Sequence, residues 1–567
     1  MGTEQRKKGI AIGVEFFKTI IEKGSYYVDK TLLIRDLIQS DAQTTLFTRP
    51  RRFGKTLNQI MLKCFFEDER TRDGKKIDNG HYFDGLKISE CGEEILKHQQ
   101  QYPVLFITLK SAKQPNFEMA YKCLIDEIYK EFTEHSYVLR SDVLTAAERK
   151  QFEKFYNREA GMDECAKAFN FLSQCLYKYH GKKTIILIDE YDVPLENAYF
   201  EGFYDEMVKF IRSFFESALK TNDYLEKAVI TGCLRISRES IFTGLNNLEI
   251  DSVLHTRYGD AFGFTENEVK EMLLYYELDD LADEVKEWYD GYLFNEIEIY
   301  NPWSILKYVN DRKDHVTSYP LPYWSNTSSN SIIREMVDNA DEEARQDLET
   351  LMQSGTIEKE VHEDITYGDI NDSQDNLWNF LFFTGYLKKV GERAEGNKLF
   401  LEMKIPNVEI EYVYEQSISR WFDKKIEKLD RSPLARALET GDCEAAENFL
   451  NEQIFDTISY FDYAESYYHG FITGMLKNAG RYRVYSNRES GNGRPDIVMT
   501  ELKFMGRAII IELKISDTFR GMDKKCEEAL AQIEEQKYAV PLEDDGYQEI
   551  LKYGICFFKK GCMVRKG

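Results

Sequence analysis

The sequence has no stretch of about 18 consecutive apolar residues, the length a helix needs to cross a bilayer. No membrane span is therefore expected. The first ten residues, M-G-T-E-Q-R-K-K-G-I, lack the apolar centre of a secretory signal. Met-Gly-Thr opens like a myristoylation site, but Arg6 stands where that motif needs Ser or Thr. The 10 cysteines are scattered without a C-x-x-C pair, and the 8 histidines are dispersed. Zinc-ligand spacing is absent, and reduced thiols in a cytoplasmic protein are expected. Internal repeats and low-complexity linkers are missing too, so no loose tether between domains is expected.

Acid is what the chain has in excess. A net charge of −25 argues against nonspecific nucleic-acid binding by the whole surface, though not against a local basic groove. At 567 residues the chain exceeds what one core supports, so about two to four domains are expected. Hydrophobic content of 43% with 14% aromatics is globular, with rings enough to fill cores and to stack on ligands.

The chain is organised around R-P-R-R-F-G-K-T (49–56). An apolar run, Thr44 to Thr48, precedes it and a helix-like run, Leu57 to Phe66, follows. Strand, tight turn and helix N-terminus is the geometry that holds phosphates. Backbone N–H groups from Arg51, Arg52, Phe53 and Gly54 face the anion, Lys55 adds a charge, and the Thr56 hydroxyl takes Mg²⁺. Arg49 stands where the usual loop has its first glycine, so the loop entry must be built differently. Arg49, Arg51 and Arg52 either bind phosphate or are tied to acids such as Asp189 or Asp192.

A second apolar strand is read at 103–109, a third at 183–189 (K-T-I-I-L-I-D) and a fourth at 228–231 (A-V-I-T). Continuous apolar strands alternating with helices predict an α/β fold with a parallel sheet. The third strand ends in Asp189-Glu190. Asp189 is expected beside the loop to hold Mg²⁺, and Glu190 to polarise the attacking water. Thr231 ends the fourth strand, where it would position that water. Arg235 stabilises developing charge in cis, does so across an interface in a homo-oligomer, or sits in a structural ion pair. These alternatives stay open, as does the same trans role for Arg238. Tyr26 and Tyr27, ahead of the loop, pack on an adenine ring or serve as core aromatics.

Beyond Phe264 the pattern turns helical, and residues 331–450 read as a helical, acidic connector. From about 452 a new module begins: a helix over 464–479, then strands at 482–486, 495–500, 507–514 and 553–558. G-R-P-D-I-V (493–498) is followed by A-I-I-I-E-L-K (508–514). Alternate residues of a strand share a face, so Glu512 and Lys514 point the same way, and a bend can bring Asp496 beside them. Two carboxylates, helped by the Leu513 carbonyl, hold one or two Mg²⁺ (or Mn²⁺). The lysine orients water or stabilises charge on a scissile phosphate. Glu465 and His469 share one face of the preceding helix, with Glu465 as a third metal ligand. Gln532 and Tyr538 are read as contacts to a substrate backbone. Arg481, Arg483, Arg488, Arg494, Arg507 and Arg520 make the region locally basic.

At Y-Y-V-D-K-T (26–31), R-P-R-R-F-G-K-T, L-I-D-E-Y-D (187–192), the stretch 231–248, W-Y-D-G-Y (288–292), Y-H-G-F (468–471), G-R-P-D-I-V and I-E-L-K, the chain resembles a bacterial pairing. That pairing joins an AAA-ATPase-like N-terminal domain to a PD-(D/E)XK nuclease-superfamily domain. The resemblance covers nearly the whole chain and implies an Arg at the first loop position as normal. It also implies Asp496, Glu512 and Lys514 as the nuclease core. The expected organisation is a P-loop ATPase domain with a parallel sheet (1–262), a helical lid (263–345), a helical connector (346–451) and an α/β restriction-endonuclease-like domain (452–567). The leading function is an ATP-binding and hydrolysing protein that regulates a Mg²⁺-dependent nuclease acting on nucleic acid, DNA before RNA, in defence against foreign DNA. The alternatives are a signalling or scaffolding ATPase with a silent nuclease fold, and a DNA-translocating motor.

Overall fold

The computed structural model describes residues 7–235, 241–242, 248–317, 319–324, 333, 342–363, 374–428, 430, 432–455, 465–476, 482–486, 493–503, 506–559 and 561–567. The chain forms two compact units, residues 1–329 with 356–413, and residues 330–355 with 414–567.

The first unit is built on five parallel strands: β1 (Thr44–Thr48), β2 (Val104–Thr108), β3 (Thr184–Asp189), β4 (Leu225–Gly232) and β5 (Leu248–Asp251). Their order is β2-β3-β4-β1-β5. Every residue of β1 and β3 is buried, which is why these strands read as unbroken apolar runs. β5 escaped the sequence reading because L-E-I-D is an edge strand with only its last residue buried. The order matters for chemistry. β4 lies between β1 and β3, so its end meets both the phosphate loop and Asp189.

The segment after Phe264 holds the three expected helices, Glu266–Tyr276, Ala282–Tyr289 and Pro302–Lys313. It also holds a small sheet that was not expected: β6 (Phe264–Thr265), β7 (Tyr292–Phe294) and β8 (Ile297–Tyr300). The connector likewise departs from its all-helical reading. β9 (Ile357–Val361), β10 (Lys388–Glu395) and β11 (Lys398–Lys404) form an antiparallel sheet beside the helix Gln374–Phe383. β10 is almost wholly solvent-facing and charged, so it carries little of the apolar alternation that marks a strand. Its hairpin signal was Gly396-Asn397, a two-residue loop with Gly396 at φ +62°.

This segment belongs to the first unit by its contacts. A Cβ on Gly385 (φ +90°) would lie 2.9 Å from the Pro50 Cβ of the phosphate loop. Asn407 Nδ2 donates to the Asp290 carbonyl at 2.7 Å. Next to it Glu409, fully buried, accepts from Ser304 Oγ at 2.7 Å and from the Trp324 N–H at 2.8 Å. Burial pushes the Glu409 carboxyl up to about 7, against the pull of those donors. An acid whose pKa is higher folded than unfolded gives stability that is present below the unfolded value and lost as pH rises through the folded one. That window runs from about 4.3 to the folded value. Glu409→Gln keeps both contacts, since the Ser304 hydroxyl can turn and accept. The variant is expected to match the parent at the acid end and to melt higher at alkaline pH. Melting curves across the window check this, and parallel curves for the two proteins would refute it.

The second unit carries a five-stranded sheet: β12 (Tyr482–Ser486), β13 (Ile497–Glu501), β14 (Arg507–Ile515), β15 (Glu549–Phe558) and β16 (Gly561–Lys566), in that order. β14 and β15 are parallel and the other pairs antiparallel. Along β14, Ile509, Ile511 and Leu513 pack with Leu434, Tyr468 and Phe471 from the preceding helices. Ala508 and Ile510 pack on the other face with Ile533 and Tyr538. By alternation, Glu512 and Lys514 continue that second face, toward the helix Met522–Glu535.

Candidate nucleotide and metal sites

The phosphate loop is shaped by two left-handed residues, Arg52 at φ +72° and Gly54 at φ +84°. The helix Lys55–Phe66 then starts directly from Gly54. Arg49 needs no such conformation and serves a structural purpose. Its guanidinium, wholly buried, pairs with Asp251 at the end of β5 and donates to the Asp251 carbonyl at 2.8 Å. It lies over the rings of Phe262 (5.3 Å) and Phe294 (5.2 Å). Arg51 pairs with Glu196 at 2.6 Å, and Arg52 stacks on Trp303 at 4.5 Å. Asp251 and Glu196 are thus acid partners of Arg49 and Arg51, while Asp189 and Asp192 accept from hydroxyls and backbone N–H groups. Sequence reading missed both because they lie far along the chain in unremarked positions. Arg49→Ala would strand Asp251 in the interior and is expected to cost about 3–5 kcal/mol, read as a fall in melting temperature.

Behind the loop lies a cluster of hydroxyls, carboxylates and one ammonium. Asp189, fully buried, accepts from Thr56 Oγ1 at 2.8 Å and Thr108 Oγ1 at 3.3 Å on one oxygen, and from Thr231 Oγ1 at 2.7 Å on the other. Burial, and then the neighbouring Glu190, push its carboxyl up to about 6 against the hydroxyls. The Lys55 ammonium donates to the carbonyls of Arg49 and Pro50 at 3.0 Å each and lies 3.6 Å from Glu190. Burial disfavours its charge, but the Cys233 sulfur with Glu190, Asp192 and Asp189 more than offsets this and raises its pKa. Glu190 itself sits at φ +54°, a conformation that costs energy and clusters at functional positions. Arg235 forms an ion pair with Glu363 at 3.5 Å, and Glu363 also accepts from Ser252 Oγ at 2.7 Å. Arg235 thus has an acidic partner, as the ion-pair alternative expects. Arg238 lies outside the described residues.

A cavity of about 520 Å³ opens over the loop. Its lining includes Tyr26, Tyr27, Val28, Trp303 and Leu306 together with Arg52, Lys55, Thr56 and Glu190. Aromatic and apolar residues lining the same cavity as a cationic loop match a base with its phosphates. The oxygen set of Thr56 and Asp189 suits a hard cation such as Mg²⁺, and a buried carboxylate with a raised pKa is one that a cation would restore to charge.

In the second unit Asp496 and Glu512 hold one another by their backbones. The Leu513 N–H donates to Asp496 Oδ2 at 2.8 Å, and the Asp496 N–H donates to Glu512 Oε2 at 3.3 Å. The cause is register. β13 starts at Ile497, opposite Ile511, so beyond Ile511 the β14 N–H has no strand partner on that side and takes the carboxylate. Lys514 Nζ lies 3.7 Å from Glu512 Oε1, and Gln532 Nε2 donates to that same oxygen. His469 Nε2 contacts the Asp496 carbonyl and Ser486 Oγ, each at 2.9 Å. Glu512 is almost wholly buried. Two carboxylates and a lysine, with no cysteine nearby in this set, fit Mg²⁺ or Mn²⁺. Tyr538 is a buried core residue on the same face. Glu465 opens the helix Glu465–Leu476, but its side chain lies outside the described residues, as do Arg481 and Arg488. Arg507 is engaged structurally, with Glu549 and the Glu439 carbonyl at 2.7 Å each.

Residues 11–242 match the family model of a predicted AAA-ATPase, and residues 463–567 match that of the PD-(D/E)XK nuclease superfamily. The chain is an AAA-ATPase-like domain joined to a PD-(D/E)XK nuclease-superfamily domain. A protein of Azotobacter chroococcum mcd 1, described as an uncharacterized protein in the vnfD 5′ region, is 26% identical over 339 residues. The match covers 58% of this chain and 56% of that protein, so the chain spans about half the length of its relative. In the AAA-ATPase-like domain the parallel sheet carries the loop, Asp189 and Thr231 on adjacent strand ends. In the nuclease-superfamily domain the mixed sheet carries Asp496, Glu512 and Lys514 at one strand end. No helix among the described residues is long and apolar enough to cross a membrane.

Proposed function

We propose that the chain is an ATP-regulated, Mg²⁺-dependent nuclease acting on DNA. In this reading Lys55, Thr56 and the loop backbone at Arg51–Gly54 bind the phosphates. Asp189 with Thr56 holds one Mg²⁺, and Glu190 and Thr231 place the water. Asp496, Glu512 and the Leu513 carbonyl, with Glu465, hold the metal of the second site, and Lys514 faces the scissile phosphate. The observation that carries the reading is the mutual lock of Asp496 and Glu512, with Lys514 Nζ 3.7 Å from the Glu512 carboxylate. Burying the Glu512 carboxylate beside a half-buried Asp496 at a strand end is costly without a cation or substrate to hold.

Regulation rests on the segment after the lid. Gly385 packs on Pro50 of the phosphate loop, and Glu363 pairs with Arg235. The helix Val408–Lys428 starts in the first unit and ends among residues of the second. Its first turn carries Glu409, bonded to Ser304 beside the cleft residue Trp303. Nucleotide in the cleft therefore bears on the helix that leads to the nuclease domain. Action in defence against foreign DNA, in the cytoplasm and in an assembly of like subunits, is the setting we attach to it by analogy.

The test is a cleavage assay on single- and double-stranded DNA and RNA with Mg²⁺ or Mn²⁺, with and without ATP. DNA cleavage that changes with ATP is the expected result. Absence of cleavage on every substrate would move the reading to a scaffolding ATPase.

A further inference from the structure

Asp192 has no place in the roles assigned so far, yet it is as buried as Asp189. One of its oxygens, Oδ2, accepts from two successive backbone N–H groups, Cys233 at 2.7 Å and Leu234 at 3.0 Å. These belong to the turn that follows β4, directly after Gly232 and ahead of Arg235. The other oxygen, Oδ1, is buried with no hydrogen-bond partner among the described residues. Asp192, Glu190 and Cys233 each bring an atom within 4.8 Å of the others. Lys55 already lies within 3.5 Å of the Cys233 sulfur, so this group surrounds an ammonium and leaves no room for a separate metal.

Asp192 is one of several ties between the two turns. The Tyr191 N–H donates to the Thr231 carbonyl at 3.0 Å, and its hydroxyl donates to the Leu234 carbonyl at 2.6 Å. Gly232 fits between them only without a side chain. A Cβ there would lie 2.5 Å from the Tyr191 ring and 2.9 Å from Asp192 Oδ1. The turn after β3, which carries Glu190, and the turn after β4 are thus knitted into one rigid block. Buried polar atoms without partners are rare enough to need a reason. Here the unpaired oxygen belongs to the residue that sets this block.

We propose that Asp192 is the positioning residue for ATP hydrolysis, holding the Thr231–Arg235 turn in register with Glu190 so that the attacking water meets both. The proposal rests on the ATPase reading given above. In that reaction water adds to the γ-phosphorus, Glu190 takes its proton, and the bond to the bridging oxygen of ADP breaks to release phosphate. Asp192 acts through the turn and not on the phosphates. A misplacement of about 1 Å at such a point costs about 100-fold in rate.

The experiment uses the full chain and follows phosphate release against MgATP concentration, with MgATP affinity measured separately by calorimetry. Asp192→Ala removes the acceptor of both N–H groups and is expected to lower kcat about 100-fold while affinity stays within about 3-fold. Asp192→Glu keeps the charge but lengthens the arm, and is expected to stay low. Equal loss of rate and affinity, or full activity in Asp192→Glu, would overturn the proposal, since either means that only bulk folding or charge matters. Should Asp192→Ala fail to fold, Tyr191→Phe removes one tie of the same block. It is expected to lower kcat several-fold at unchanged affinity, and unaltered kcat there counts against the proposal. A parent protein that releases no phosphate sinks the ATPase reading itself, which separates the two failures.

Discussion

Lys514→Ala is expected to lower DNA cleavage by about 1000-fold or more while leaving MgATP affinity within error of the parent. Lys514 brings positive charge to the Glu512 carboxylate, at 3.7 Å. Its removal leaves Glu512, almost wholly buried, facing Asp496 without that charge. On the proposed reading cleavage then loses the group that would meet the phosphate, beside the pair that would hold the metal. Glu512→Gln gives an independent arm. Both Glu512 oxygens accept hydrogen bonds, one from Gln532 and one from the Asp496 N–H. A glutamine can keep its oxygen toward the Asp496 N–H while Gln532 turns its amide to accept, so the substitution removes the negative charge and leaves the contacts in place. Mg²⁺ or Mn²⁺ binding, followed by calorimetry, should then weaken together with cleavage. Parental cleavage by Lys514→Ala would remove the nuclease assignment, whatever the ATPase does.

Much of this arrangement was legible before any coordinates. β1, β3 and β4 announced themselves as apolar runs because a strand buried on both faces has no polar alternation to blur it. Glu512 and Lys514 could be placed on one face of β14 from spacing alone, since a strand repeats every two residues. The crossed bonds between Asp496 and Glu512 could not be read, because they depend on where β13 begins opposite β14. The arginines of the phosphate loop were the least legible part. Their partners Asp251, Glu196 and Trp303 lie far along the chain, and pairing at that separation leaves no local pattern. The same cause hid the true character of the connector. β10 faces solvent and is charged, so its sequence resembles that of an exposed helix, and only the Gly396-Asn397 hairpin signalled otherwise. What the sequence described as a link between domains packs against the phosphate loop at Gly385 and against Arg235 at Glu363.

Lys55→Ala is expected to weaken MgATP binding about 100-fold or more and to abolish phosphate release. The effect has two parts that act in the same direction. The first is the loss of the ammonium that a phosphate would meet at the N-terminus of the helix Lys55–Phe66. The second is what remains. Asp189, Glu190 and Asp192 gather around that ammonium, and Asp189 and Asp192 are already pushed up to about 6 by burial and by Glu190. Without Lys55 these acids are balanced less well, so the loop presents more negative charge to an anion. Acid also protonates Asp189, the carboxylate assigned to the metal, so the pH test uses ATP without Mg²⁺: lowering the pH toward 6 is expected to recover part of the lost affinity for metal-free ATP in Lys55→Ala and to do less in the parent. Calorimetry at both pH values distinguishes this from simple misfolding, which acid would not repair. The nuclease domain then supplies the second readout. With regulation as proposed, Lys55→Ala cleaves DNA at one fixed rate with or without ATP, while the parent changes. A variant that still responds to ATP would show that the nucleotide acts elsewhere than at this loop.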